Sequence, residues 1–265
     1  MTNIINGGKH ANWNFDIQEF MIIPKDSQPS KAARVASEIF HTLGRHLKNK
    51  NLSTLVGDEG GYSPMLESNE DAFETIIEAG EQTGYKNTVD YHLGMDAAAS
   101  EFFQDGEYIM KKDKRKIETE DLLNYYLSLN EKYKIHSYED PFDQDDWEHF
   151  TLLLGRSNNK FIVVGDDLTV TNPKLIQKGI ETKAANAVII KPNQIGSIVE
   201  TVEALKTAKN AGWKTVISHR SGETEDSFIS DLAYASAANY IKTGSMSRSD
   251  RLSKYNRLIE IENNL

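Results

Sequence analysis

Three stretches, SYEDPF (137–142), GDDLTVTNP (165–173) and VIIKPNQIG (188–196), decide the fold. Each closes an apolar strand pattern and leaves one chemically capable residue at the end: Glu139, Asp166 and Lys191. The runs that lead into them, such as FIVVG (161–165) and AVII (187–190), are continuously apolar. Strands covered on both faces in a parallel sheet have that character. If the strands are parallel neighbours, two carboxylates and a lysine share one mouth.

Working outward, two strand patterns come first, Asn3 to Asn6 and Asp16 to Ile23, the second stopped by Pro24. Two helical patterns follow, from about Ser30 to Lys48 and from about Ser68 to Tyr85; Ala33, Val35, Ala36, Ile39, Phe40, Leu43 and Leu47 form the apolar stripe of the first. From there strand and helix alternate, with strands ending at Asp96, Glu139, Asp166, Lys191, His219 and Gly244, and helical patterns that include Ser197 to Ala211 and Ser247 to Asn263. The order is ββαα(βα)6 with eight strands, which predicts an α/β closed barrel, a doubly wound sheet being the alternative. The charged run Lys111 to Lys116 is expected to be a solvated hairpin turn before a helix near Glu118. Residues 1–265 read as a single barrel domain, and the length suits one.

Composition narrows the function. A net charge of −10 disfavours nucleic-acid and anionic-membrane partners. The absence of cysteine excludes disulfides, thiolate metal sites and a cysteine nucleophile. No apolar run reaches the roughly 20 residues of a membrane span, and the start carries no signal-peptide pattern, so a cytoplasmic location is expected.

Barrel enzymes build their sites at the C-terminal ends of the strands. There the sequence offers Asp96 (GMDAA), Glu139, Asp166, Lys191, His219 (SHRSG) and Lys242 (IKTGS). Asp96, Glu139 and Asp166 end three consecutive strands, and hard oxygen ligands without sulfur or a histidine pair suit Mg2+. Lys191 is a candidate general base, held out of helical geometry by Pro192. Arg220 and Ser221, after the seventh strand, fall where barrels often bind phosphate. GDEGGY (57–62) is expected to present Glu59 on a mobile glycine loop, as an acid opposite the lysine. His10 lies on the first loop, and alternation sends Glu19 and Met21 to one face of the second strand and Gln18 and Phe20 to the other. His41, His46, His92, His136 and His149 read as structural.

Assembled in order, NIINGGKHA, DIQEFMIIP, VGDEGGY, GMDAAASEFF, EDPFDQDDWE, GDDLTVTNP, KPNQIGS, SHRSGETED and IKTGSMSRSDRL resemble the enolase (phosphopyruvate hydratase) family over essentially the whole chain. The resemblance implies an enolase-type TIM barrel and Mg2+-dependent dehydration of 2-phosphoglycerate to phosphoenolpyruvate, a lyase step of glycolysis. It implies Asp96, Glu139 and Asp166 as ligands of the first Mg2+, Lys191 as the base, and Glu59 as the acid with Glu19 assisting. His10, His219, Arg220, Ser221 and Lys242 would hold the substrate, which Glu19, Glu139 and Asp166 also face. Family members carry an α+β domain ahead of the barrel, with a mobile loop whose serine helps bind a second Mg2+ and with part of the usual homodimer interface. The sequence begins almost inside its first strand pattern, so that domain is expected to be absent, and part of the second Mg2+ site with it. A non-catalytic barrel acting as a binding protein is the alternative.

Overall fold

A computed structural model describes residues 1–264. Strand β1 (Thr2–Asn6) pairs antiparallel with β2 (Glu19–Pro24), with a bulge between Asn3 and Ile5, and β2 pairs antiparallel with β3 (Tyr91–Asp96). The long helices α1 (Pro29–Asn49) and α2 (Asn69–Thr83) fill the β2–β3 connection. Proline in its first turn starts α1, where a missing N–H is harmless. Reciprocal Ser68–Asp71 capping starts α2, and Gly84, at φ +88°, ends it.

Between β3 and the next helix lies an element the sequence reading did not resolve. It is a small antiparallel sheet of β4 (Phe103–Gln104), β5 (Glu107–Met110) and β6 (Arg115–Ile117). The charged run spans the β5–β6 turn and β6 itself, as a hairpin that leads into α3 (Thr119–Tyr133). The alternation then proceeds through β7 (Ile135–Glu139), α4 (Trp147–Arg156), β8 (Ile162–Gly165), α5 (Pro173–Thr182) and β9 (Ala187–Ile190). It ends with the short α6 (Pro192–Ile195), α7 (Ile198–Asn210), β10 (Lys214–Ser218), α8 (Phe228–Ala235), β11 (Tyr240–Lys242) and α9 (Ser249–Asn263).

The eight-stranded sheet runs β1-β2-β3-β7-β8-β9-β10-β11. Main-chain bonds from Met1 N to Ile241 O (2.8 Å) and from Asn3 N to Gly244 O (3.1 Å) bring its ends together. The sheet therefore curls into a barrel and is not doubly wound. One correction concerns Asp16, which precedes the second strand instead of opening it. Asn69 Nδ2 donates to its carboxylate at 2.9 Å and the Lys112 amide at 3.0 Å.

Alternation along the strands sorts the core. Met21, Ile23, Ile162, Val164, Ala187, Ile189 and Val216 point inward and plug the barrel. Phe20, Ile22, Leu93 and Tyr138 point outward beneath the helices, as do Val188, Ile190 and Ile217 on the far side. Each buried Val, Leu, Ile, Phe or Met among them contributes about 1.5–3 kcal/mol. Above the plug the interior changes from apolar to charged, and that layer is the site. No helix among the described residues is long and apolar enough to cross a membrane.

At the opposite rim His92 stacks on His136, ring centroids 4.5 Å apart, and His136 Nε2 lies 3.2 Å from Tyr240 Oη. Burial, then the neighbouring His136 and Lys25, push His92 down to about 4. Between the unfolded value of about 6.5 and about 4 the unfolded chain binds a proton that the folded chain refuses. The contribution of His92 to stability should therefore fall as pH drops through that window, by about 1 kcal/mol after discounting for partial exposure. Urea midpoints from pH 7 downward check this: the parent should lose stability relative to His92→Gln as pH drops, and a difference that stays constant with pH would reject the assignment.

Candidate active site

Lys242, at the end of β11, reaches into the barrel axis and is 3% exposed. Its ammonium stands 3.0 Å from Glu19 Oε1, 3.0 Å from Asp96 Oδ2 and 2.9 Å from Glu139 Oε1. Burial pushes Glu19 and Glu139 well above the carboxylate range, and neighbouring carboxylates add to it. Burial opposes charge on Lys242 as well, but the surrounding carboxylates outweigh it and hold the ammonium firmly protonated. Glu19 Oε2 and Glu139 Oε2 are buried without a hydrogen-bond partner.

Lys191 follows β9 in extended geometry (φ −120°), with Pro192 starting the next turn, as the sequence indicated. Its amide donates to Thr171 Oγ1 at 2.9 Å, and its ammonium donates to Asp166 Oδ2. Gln194 Nε2 donates to the other Asp166 oxygen at 3.2 Å. Burial lowers Lys191, yet the Asp166 carboxylate more than restores it, so the net shift is upward. Asp140, which the sequence reading passed over, accepts from the amides of Asp166 (2.9 Å) and Asp167 (2.8 Å) and so fixes the turn that aims Asp166. Burial, then Asp166, push Asp167 up to about 6. The paired acid words EDP and GDD were the available signal.

Glu59 is 3% exposed and firmly anchored. Asn3 Nδ2 donates to its Oε2 at 2.8 Å; His219 Nε2 is 3.3 Å from Oε1 and His10 Nδ1 is 3.7 Å from Oε2. Burial raises this carboxyl, and the neighbouring His219, His10 and Lys242 oppose that rise. The expected mobile glycine loop is instead pinned. The Ser245 amide donates to Glu59 O (2.9 Å), Ser247 Oγ to Gly60 O (2.7 Å), Arg248 Nη1 to Asp58 O (2.8 Å) and Gly61 N to Asn6 Oδ1 (2.9 Å). The glycines serve close approach: at Gly61 a Cβ would lie 2.9 Å from Asn6 Oδ1.

His10, Glu19, Glu59, Asp96, Asp166, Lys191, His219, Arg220, Ser221 and Lys242 all line one cavity of about 330 Å³. Arg220 and Ser221 are exposed at its rim. Glu139 does not line it; its carboxylate is buried, with one oxygen held by Lys242. In the sheet order β2 is second and β9 sixth, which in an eight-stranded barrel sets Glu19 and Lys191 on opposite sides of the mouth.

A family model described as enolase, C-terminal TIM barrel domain, matches residues 1–265. The chain belongs to the enolase C-terminal barrel family. In this enolase barrel the acidic residues fall into groups that differ from the expected triple. Among the described residues, Asp140, Asp166 and Asp167 bring ligand atoms within 4.8 Å of one another, as do His10, Glu19 and Glu59. Asp96 and Glu139 share Lys242, while Lys191 takes Asp166, so the three expected ligands are engaged by ammonium groups. The donors nonetheless fit a hard divalent cation. They are all carboxylate oxygens, and Glu139 keeps one oxygen buried and unpartnered.

Proposed function

We propose that this mouth dehydrates 2-phosphoglycerate to phosphoenolpyruvate, as a phosphopyruvate hydratase. The observation that carries the reading is the placement of Lys191 across one cavity from the Glu19–Glu59 pair, with Arg220 and Ser221 at the rim. A substrate lying between them exposes its α-proton to Lys191 and its hydroxyl to the carboxyl pair, from opposite faces. Breaking the two bonds on opposite faces lets the electrons of one flow into the other.

Glu19 and Glu59 bring ligand atoms within 4.8 Å of one another, so they titrate as a pair, not as independent carboxyls. A trianionic substrate raises both carboxyls, which favours donation to the departing hydroxyl through Glu59. Lys191 accepts a proton only once Asp166 turns its charge to another cation, because the Asp166 carboxylate is what keeps Lys191 protonated. Arg220 offers a planar fork to the phosphate and Ser221 a hydroxyl. Asp96, Glu139 and Asp166 would hold Mg2+, which supplies positive charge to the substrate carboxylate as its α-proton leaves.

The test is Mg2+-dependent phosphoenolpyruvate absorbance from 2-phosphoglycerate, with the chain alone and with an enolase N-terminal domain supplied in trans. Product in either arm supports the reading. A folded chain silent in both, with non-phosphorylated hydroxy acids also unreactive, overturns it.

A further inference from the structure

Arg251 heads the fully enclosed side chains by volume, at 0% exposure, and the reaction outlined above gives its charge nothing to do. It leaves the first turn of α9 and passes beneath the mouth. Nη1 donates to the Arg220 carbonyl at 2.7 Å and lies 2.5 Å from His219 Nδ1. Nη2 donates to the Ser221 carbonyl at 2.7 Å and to the Asp58 carbonyl at 3.1 Å. Asp250 Oδ2 stands 3.0 Å from Nε. A fork buried only for charge balance would face carboxylates on both edges. This one meets a carboxylate only at Nε, while its two terminal nitrogens face main-chain carbonyls of two separate loops and one ring nitrogen.

The path is reserved for it. Gly244 has φ +79°, and a Cβ there would lie 2.7 Å from Arg251 Cδ and 2.8 Å from the Glu59 carbonyl. Only glycine accommodates that backbone and that close approach.

We propose that Arg251 is a positioning residue that fixes His219 in the Nε2-protonated tautomer facing Glu59 and locks the Gly57–Tyr62 loop to the His219–Ser221 loop as one unit. A guanidinium has no acceptor, so the ring nitrogen it meets must be bare. The imidazole proton is then on Nε2, 3.3 Å from Glu59 Oε1. Burial, with Arg251, Lys242 and Lys191 against the opposing Glu59, pushes His219 down to about 3, which keeps the ring neutral. The catalytic meaning of this lock rests on the function proposed above; the tautomer does not.

The experiment is selective 15N-histidine NMR of the chain at pH 7, repeated on Arg251→Lys, with 2-phosphoglycerate kinetics in Mg2+ on both. His219 should carry one proton, on Nε2, in the parent chain. Lysine lacks the planar fork, so Arg251→Lys should give a mixed tautomer, with KM raised and kcat lowered, each by about tenfold. A purely structural role would lower the active fraction and leave KM and the tautomer alone. A His219 proton on Nδ1, or an imidazolium, in the parent chain overturns the proposal. So does an Arg251→Lys chain with an unchanged tautomer. If Arg251→Lys does not fold, the parent spectrum decides. If neither chain turns over 2-phosphoglycerate, the tautomer alone judges Arg251 and the silence counts against the proposed function.

Discussion

Lys191→Ala should lower 2-phosphoglycerate turnover by about 10²–10⁴-fold, the contribution of a single positioned proton-transfer group, or about 3–5 kcal/mol of barrier. The same substitution should stop exchange of the substrate α-proton with solvent, because the step lost is proton removal itself. Glu59→Gln should behave differently: product formation falls while exchange continues, since Lys191 is intact on the opposite side of the mouth. Deuterium incorporation measured beside product absorbance separates the two steps. Exchange surviving in Lys191→Ala would remove that lysine from the base role. The fold should tolerate the change. Lys191 retains some exposure, and Asp166 keeps the Gln194 amide when the ammonium is gone. Circular dichroism should show a chain as folded as the parent.

The residues that this prediction needs were legible in the sequence for a physical reason. FIVVG and AVII are apolar on both faces, so their ends are sharp, and the first polar residue after each marks the mouth. The contacts that make the site rigid were not legible. Asn3 reaches Glu59 across 56 residues and Arg251 reaches Asp58 across 193, and no local period records such pairings. GDEGGY read as mobile because glycines permit freedom. In the fold they permit closeness instead, with Ser245, Ser247 and Arg248 crowding onto the loop. The sheet of β4, β5 and β6 escaped notice because strands of two to four residues are too short to display alternation. Glu139 was placed at the right strand end, but the depth of its carboxylate depends on the reach of Lys242 from the eighth strand of the sheet.

That reach sets the second large effect. Lys242→Met keeps the length of the side chain and removes its charge, leaving Glu19, Asp96 and Glu139 buried without their shared cation. Breaking a buried ion pair from one side costs about 3–5 kcal/mol, so a loss of that size is expected in urea unfolding at neutral pH. The loss should depend on pH with a definite sign. Glu19 and Glu139 already sit above their unfolded value of about 4.3, and without the ammonium they rise further. Between that value and the folded one, the folded chain binds protons that the unfolded chain has released. Stability is therefore lost as pH rises through the window and regained as pH falls back toward about 4.3. The variant should show this slope more steeply than the parent. Mg2+ should also raise the variant's urea midpoint more than the parent's, because the carboxylates freed by Lys242 become available to the cation. A loss that is flat with pH and indifferent to Mg2+ would mean that Lys242 packs the barrel axis instead of balancing its charge.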